Sequence, residues 1–319
     1  MKQKDLTFVS EGVRVRGILR LPDDPGAGSL PALVQGPGWL GLKDSKLYVR
    51  YHEAFTSAGY AVFIFDYRGF GDSEGDRGIL LPSMQLEDLV NAVTYVGTLT
   101  EIDADRIGVF GTGGTGGGNA IMLAAADRRV KCAVAQVPVA DGEDWLHRMR
   151  REYEWYEFLA RLDVDRVTRV TGGEGEMVHP REEIMVPTPE RRATKVKSDV
   201  DDRIPSSVPL RCAEAIMAYK PIDVVDRISP RALLVVGVEA DATTPTDHSV
   251  ALYEAAGNPK KLIMQRHTTH YAAYDRYWNE VTPQMVAWLD SNMGRGDLVV
   301  RTKLDNTERH QSVVVSAPD

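Results

Sequence analysis

The chain has 319 residues, of which 43% are hydrophobic and 26% charged, and its formal net charge is -8. This length and apolar content exclude a disordered chain and predict one large domain, or a domain with an inserted cap. The acidic balance, without a basic cluster, excludes a nucleic-acid partner. Because no apolar run has the length of a signal-peptide core or a membrane span, we expect a cytoplasmic protein without membrane contact.

The first elements along the chain alternate between strand and helix patterns. Residues 6–22, LTFVSEGVRVRGILRLP, predict two antiparallel strands about a Glu-Gly turn. Buried strand patterns and helical patterns then follow one another as PALVQG, SKLYVRYHEAFTSAG, AVFIFDYRG, MQLEDLVNAVTYVGTL, RIGVFG, GGGNAIMLAAAD and VKCAVAQVP. Such alternation is typical of an α/β fold, with a mostly parallel central sheet and helices on both faces.

The alternation stops at residues 141–212, where we predict an inserted helical cap or lid. This segment contains a strongly helical, aromatic-rich stretch followed by an irregular, turn-rich one. The α/β pattern then resumes and ends in a helix over about 272–292. We therefore expect a core formed by residues 1–140 and 213–294. In the tail, 295–319, the segments LVVRTKL and SVVVSAP either add a strand or pack on a neighbouring subunit of a homodimer.

The stretch RIGVFGTGGTGGGNAIMLA predicts a buried strand, a tight turn and a helix of small residues. It resembles the nucleophile elbow, G-x-S-x-G, of the α/β-hydrolase superfamily. The closest pattern is GTSxSGG or GTSxTGG, as in dienelactone-hydrolase-like and X-Pro-dipeptidyl-peptidase-like esterases. On this pattern Gly113 occupies the position of the nucleophilic serine. The resemblance implies an α/β-hydrolase fold and Ser-His-Asp acyl transfer, with the nucleophile missing.

Three hypotheses account for Gly113. In the first, glycine replaces serine in an inactivated variant. In the second, the protein naturally lacks the serine, and it either acts as a lyase or isomerase through the remaining acid and base or only binds a ligand. In the third, Thr112 or Thr115 attacks instead. The third is disfavoured because a shift along the turn points the side chain away from the histidine. A phosphate-binding loop is a further alternative, but the stretch has no Lys-Ser or Lys-Thr pair and does not follow the first strand.

Two later positions match the acid and the base expected after the elbow. LLVVGVEAD places Asp241 just past a buried strand, and KLIMQRHTTHYAAYDRYW places His270 between the last strand and a helix. Their resemblance to the family's G-x-x-D and xxHxxxY patterns, with Tyr274 at the tyrosine, implies a catalytic pair. An imidazole takes the nucleophile's proton, and the carboxylate holds its tautomer. His267 is the nearest competitor, but it lacks the helix start.

The expected oxyanion hole has two backbone donors. Gly114 supplies the N–H after the nucleophile position. LVQGPGWLGLKD resembles the family's HGxxGxKD and implies the second donor, Trp39, because Pro37 has no N–H. The Trp39 indole either walls the acyl pocket or packs the loop. FDYRGFGDSEG resembles the family's DyRGfGeSeG, and we expect Ser73 within it to scaffold a loop.

The cap supplies the candidate substrate-binding residues Trp145, Tyr153, Trp155 and Tyr156. Aromatic helices over an α/β site often enclose an apolar substrate, although these rings also suit the cap's own core. The histidines and acids of the cap lack metal-ligand spacing, so we expect neither metal nor cofactor. The sequence thus predicts a hydrolase of a small-molecule ester, or of an amide, thioester or activated carbon-carbon bond.

Overall fold

The computed structural model describes residues 1–26, 28–193, 201–293 and 310–315. The strands are β1 (Lys2–Ser10), β2 (Val13–Leu21), β3 (Leu30–Gln35), β4 (Ala61–Phe65), β5 (Ile102–Thr112), β6 (Val130–Gln136), β7 (Met177–Val178), β8 (Val208–Pro209), β9 (Ala232–Val238), β10 (Lys260–Gln265) and β11 (His310–Val315). The α-helices are α1 (Lys46–Ser57), α2 (Pro82–Val96), α3 (Gly114–Ala126), α4 (Gly142–Arg148), α5 (Glu152–Val170), α6 (Pro189–Ala193), α7 (Arg211–Met217), α8 (Thr246–Ala255), α9 (Ala272–Arg276) and α10 (Trp278–Met293).

Nine strands form the central sheet in the order β1-β2-β4-β3-β5-β6-β9-β10-β11. The hairpin β1–β2 and the pair β2–β4 are antiparallel, and all other neighbours are parallel. Glu11 and Gly12, with φ of 46° and 80°, form the two-residue hairpin turn that the Glu-Gly pair predicted. The mostly parallel sheet expected from the sequence is confirmed.

Helices cover both faces of this sheet. On one face, α1 and α10 enclose a core that includes Tyr51, Phe55 and Met285. On the other face, α2, α3 and α8 enclose a larger core. Strands β3, β4 and β9 are buried along their whole length because helices cover both of their sides. This explains why their sequences are continuous apolar runs rather than alternating ones.

The chain between β6 and β9 forms the inserted segment that we interpret as a cap. It contains α4, α5, the short antiparallel pair β7–β8, α6 and α7. The expected boundary after residue 212 falls inside α7, which contacts α4 and α5. We therefore group the whole of α7 with the cap. The core resumes with two short 3₁₀ turns that pack on α3.

The C-terminal part departs from the expectation in one respect. The last helix divides into α9 and α10 at Tyr277, whose φ of -120° and ψ of 9° are not helical. Of the two alternatives for the tail, the described part shows the strand, because β11 pairs parallel with β10. The segment LVVRTKL lies outside the described residues. Among the described helices, none combines the length and the apolarity needed to cross a bilayer.

Candidate active site

The three positions singled out in the sequence follow three strands of the parallel part of the sheet. Gly113 follows β5, Asp241 follows β9 and His270 follows β10. Parallel strands end at the same edge, where α/β proteins bind their ligands. Gly113 and His270 line one cavity at this edge. The structure thus brings the elbow and the histidine together.

Asp241 forms a hydrogen bond with His270 and does not itself line the cavity. The Nδ1 atom of His270 lies 2.7 Å from Oδ2 of Asp241, and the two side chains are 5% and 1% exposed. The other carboxylate oxygen, Oδ1, accepts hydrogen bonds from the backbone N–H groups of Thr243 and Thr244 at 2.8 and 2.7 Å. These bonds fix the carboxylate, which in turn fixes the ring. Since Nδ1 is engaged, Nε2 is the nitrogen left for proton exchange.

Gly113 adopts a backbone conformation that favours glycine. Its φ is 79° and its ψ is 160°, a region occupied almost only by glycine. A Cβ atom built on this residue would nevertheless have room, because its nearest neighbours would be the Cα of Gly38 at 3.7 Å and the hydroxyl of Tyr274 at 3.9 Å. The turn therefore constrains the backbone of residue 113 more than it constrains the space above it.

The elbow packs directly against the loop that follows β3. A Cβ on Gly38 would lie 2.8 Å from the carbonyl oxygen of Thr112, and one on Gly116 would lie 3.0 Å from the Cα of Gly38. Only glycine permits such a close approach of two backbones. The glycines of both motifs are thus required by the contact between the two loops.

The two expected oxyanion donors belong to the two segments that meet at this contact. Gly114 is the first residue of α3, so its N–H has no acceptor within the helix and lies at the positive end of the helix dipole. In the β3 loop the N–H of Gly38 donates to the hydroxyl of Tyr48 at 3.2 Å. Trp39 is the next donor along that loop, and it lines the cavity. The guanidinium of Arg181, from the cap, donates to the carbonyl of Trp39 at 3.0 Å and holds the loop from above.

The cap contributes an aromatic wall and two cations to the cavity. Trp145 of α4 packs edge-on against Trp39, with ring centroids 5.6 Å apart, and its indole N–H donates to the carbonyl of Thr243 at 2.8 Å. Arg181 and Arg191 also line the cavity, although they are only 8% and 5% exposed. Neither arginine is marked by a sequence pattern, because both lie in an irregular segment without periodicity.

Three of the four aromatic residues expected to bind substrate do not line this cavity. Tyr153 and Tyr156 are 55% and 62% exposed on the outer face of α5. Trp155 is buried on the inner face, where it stacks on His147 and contacts Phe158. These positions fit the alternative for the same rings, the cap's own core, because α5 packs on α7 within the cap, and a role of the three rings in substrate binding stays a prediction. Trp145 is the member of the set that reaches the cavity.

Helix α6 reaches the loop that carries His270. Oε1 of Glu190 accepts hydrogen bonds from the hydroxyl of Thr269 and from the backbone N–H of Tyr271 at 3.2 Å. The guanidinium carbon of Arg191 lies 5.9 Å from the centre of the Tyr271 ring. The residues on both sides of His270 are therefore held by the cap, so the cap orders the histidine loop as well as covering the cavity.

The hydroxyls of Ser73 and Thr112 have protein partners, and Thr115 is buried. The hydroxyl of Ser73 donates to the carbonyl of Asp66 at 2.6 Å and accepts from the N–H of Arg16 at 2.9 Å, which ties two loops together. The hydroxyl of Thr112 donates to the side chain of Gln136 at 3.3 Å. Thr115 is buried within α3. These contacts fit structural roles.

His267 differs from His270 in position. It lies in an exposed part of the loop and has a positive φ of 54°, and its carbonyl accepts a hydrogen bond from Arg276. It does not line the cavity that contains Gly113 and His270.

Comparisons with known proteins agree with this architecture. The model of the family described as X-Pro dipeptidyl-peptidase (S15 family) matches residues 11–272. An Escherichia coli protein, described as an uncharacterized 31.7 kDa protein in the traX-finO intergenic region, is 30% identical over 287 residues, which cover 89% of this chain and 98% of that protein. The thiohydrolase aneE of Aspergillus aculeatus is 34% identical over 132 residues, or 41% of this chain and 40% of that one.

The fold is also similar to a solved structure. The α/β-hydrolase GrgF from Penicillium superposes with a TM-score of 0.76 over 92% of this chain and 100% of that one, at 23% identity. This similarity extends through the core and the inserted segment.

Proposed function

Because this chain belongs to the X-Pro dipeptidyl-peptidase (S15) family of α/β-hydrolases, we propose that its cavity hydrolyses the acyl bond of a small carboxylic ester or thioester. The observation that carries the proposal is the bond of 2.7 Å between His270 and Asp241, with His270 and Gly113 lining one cavity. In the proposed reaction, Asp241 stabilises the imidazolium form of His270. The thioester alternative gains support from the relative named a thiohydrolase.

The proposed chemistry places the scissile carbonyl between the elbow and the β3 loop. The N–H groups of Gly114 and Trp39 would stabilise the oxyanion, and the rings of Trp39 and Trp145 would hold the apolar part of the acyl group. In the acyl-enzyme route of the family, a serine at residue 113 would attack while His270 takes its proton. Gly113 lacks that hydroxyl, so this route is closed to the chain as it stands.

The variant Gly113→Ser tests the proposal. Removal of a serine nucleophile typically lowers turnover by a factor on the order of 10⁶, so its introduction should raise the hydrolysis of p-nitrophenyl butyrate by several orders of magnitude. The variant should also react with a fluorophosphonate, and Gly113→Ala serves as the matched control. A folded Gly113→Ser chain that shows neither hydrolysis nor labelling would contradict the proposal. Strain at the positive φ should lower its stability by roughly 1–3 kcal/mol.

One observation favours a second candidate, a natural serine-less protein. The φ and ψ of Gly113 lie where glycine is almost the only residue found, which suits a turn built for glycine. In this case His270 and Asp241 would serve a lyase or isomerase reaction, or the cavity would only bind its ligand. Failure of Gly113→Ser to gain activity, with retained binding of esters in isothermal titration, would favour this candidate.

A further inference from the structure

The hydroxyl of Tyr274 is directed at the position where the family carries its nucleophile. It would lie 3.9 Å from a Cβ on Gly113, and the Tyr274 ring meets the ring of His270 edge-on with centroids 5.8 Å apart. Tyr274 is only 3% exposed, yet it lines the cavity beside Gly113 and His270. Tyr274 and His270 therefore both line the cavity beside Gly113, and the hydroxyl of Tyr274 is the nearer of the two to this Cβ position.

This space suits a water molecule. A Cβ-sized group fits there without a contact shorter than 3.7 Å. An ordered water needs this room and two or more polar partners, and the hydroxyl of Tyr274 and the ring of His270 are the candidates that line the cavity beside this space. Burial raises the pKa of Tyr274 well above its ordinary value, so its phenol stays neutral at physiological pH and does not repel a polarised water.

We propose that the unaltered chain hydrolyses its substrate directly, with a water held by Tyr274 and His270 in the place of the serine. This proposal rests on the function proposed above and names Tyr274 as a further catalytic residue. It also makes Gly113 a functional residue, because any side chain at this position would displace the water.

The reaction balances without a covalent intermediate. The water oxygen forms a bond to the acyl carbon while one of its protons moves to Nε2 of His270; its second hydrogen stays on the water oxygen and donates a hydrogen bond to the hydroxyl oxygen of Tyr274. The carbonyl electron pair moves to the oxygen that faces Gly114. The tetrahedral intermediate then collapses, the C–S or C–O bond breaks, and the proton on His270 passes to the departing thiolate or alkoxide. The products are a carboxylic acid and a thiol or alcohol.

The test measures hydrolysis of S-phenyl thiobutyrate and p-nitrophenyl butyrate by the unaltered chain and by Tyr274→Phe. We expect turnover to fall by about tenfold or more in Tyr274→Phe, with little change in KM, because the substitution removes only a group that holds the water. The matched control is Tyr277→Phe, which removes a buried hydroxyl that donates to the carbonyl of Arg266 at 2.6 Å, outside the cavity. This control should retain its turnover. Equal turnover of Tyr274→Phe and the unaltered chain would overturn the proposal.

Gly113→Ala provides an independent test, because its methyl group would occupy the site of the water and should abolish the activity of the unaltered chain. Circular dichroism and thermal unfolding establish that the variant is folded. Intact mass after an acid quench should show no acyl adduct on the unaltered chain and an adduct on Gly113→Ser. An inactive unaltered chain beside an active Gly113→Ser would overturn this inference and leave the proposed function standing. Inactivity of both would overturn both.

Discussion

In the described part of the chain, two buried histidines each pair with an aspartate at the same distance, but through different ring nitrogens. In the first, Nδ1 of His270 lies 2.7 Å from Asp241. In the second, Nε2 of His248 lies 2.7 Å from Asp144, while its Nδ1 accepts a hydrogen bond from the backbone N–H of Ala140 at 3.2 Å. The second ring therefore has both nitrogens engaged.

The two pairs also occupy different surroundings. The carboxylate of Asp241 is 1% exposed and bonded to the backbone of its own turn, and its histidine lines the cavity. The carboxylate of Asp144 is 37% exposed and also binds Arg148 at 2.7 Å. Although burial favours its neutral form, the hydrogen bonds from His248 and Arg148 lower the pKa of Asp144. This pair ties α4 of the cap to α8 of the core.

The comparison teaches that a histidine-aspartate pair does not by itself indicate catalysis. A general base needs a lone pair directed at the substrate, and the second nitrogen of the ring decides whether one is available. The pairing with Asp241 assigns the proton of His270 to Nδ1, whereas the backbone N–H of Ala140 assigns the proton of His248 to Nε2. The first ring suits catalysis, and the second suits the attachment of the cap.

Replacing each of the two histidines should change turnover to very different extents. In the Gly113→Ser background, His270→Gln should lower the hydrolysis of p-nitrophenyl butyrate by a factor on the order of 10⁴–10⁶, because glutamine cannot take the proton of the attacking hydroxyl. His248→Gln should change turnover by less than about tenfold, since its ring lies outside the proposed reaction. Similar losses in both variants would contradict the distinction drawn between the pairs.

The two variants should rank in the opposite order by their effect on stability, with the larger loss in His248→Gln. His248→Gln disturbs a part-buried hydrogen bond to Asp144 of the cap and a buried one to the backbone of Ala140, and we expect it to lower the free energy of unfolding by about 1–3 kcal/mol. His270→Gln should cost less, because the ring of His270 lines the cavity and makes one side-chain hydrogen bond to the described residues, whereas the ring of His248 makes two. Urea unfolding of the two variants, followed by circular dichroism, measures the difference. A more stable His248→Gln than His270→Gln would show that the second pair does not fasten the cap.

The smallest expected effect concerns a third buried histidine. His52 contacts Arg20 through Nδ1 and Gln35 through Nε2, at 2.6 Å for the latter. Burial, and next the charge of Arg20, lower the pKa of His52 well below its ordinary value. Below about pH 6.5, His52 is therefore protonated in the unfolded chain but stays neutral in the folded chain. The stability that results from this difference is complete above that pH and is lost as the pH falls.

This loss should reach at most about 2 kcal/mol between pH 6.5 and pH 5. Thermal unfolding at both pH values measures it, and His52→Gln, which does not titrate, should weaken the dependence. An unchanged dependence in this variant would assign the effect to other groups. Burial raises the pKa values of Asp66 and Asp88, and these carboxyls therefore act in the opposite direction at lower pH.

Sequence patterns located the strands and their order well because the buried runs of β3, β4 and β9 are continuous and end in turn residues. The spacing of apolar residues also predicts which face of α5 is buried. Its buried residues Trp155, Phe158, Leu162 and Asp165 follow the spacing of one helix face, and Tyr153 and Tyr156 lie off that face. The spacing does not specify the element against which this face packs, so it left open whether Trp155 belongs to the pocket or to the cap's own core.

The α/β order, the elbow glycines and the placement of Asp241 and His270 after two strands follow from the sequence pattern, because parallel strands place their carboxyl ends at one edge whatever the loops contain. That Trp145, Arg181 and Arg191 reach the cavity follows from the folded structure alone. The folded structure also decides which nitrogen of each paired histidine is engaged. These features depend on how the cap docks on the core, and docking joins residues that no local periodicity relates.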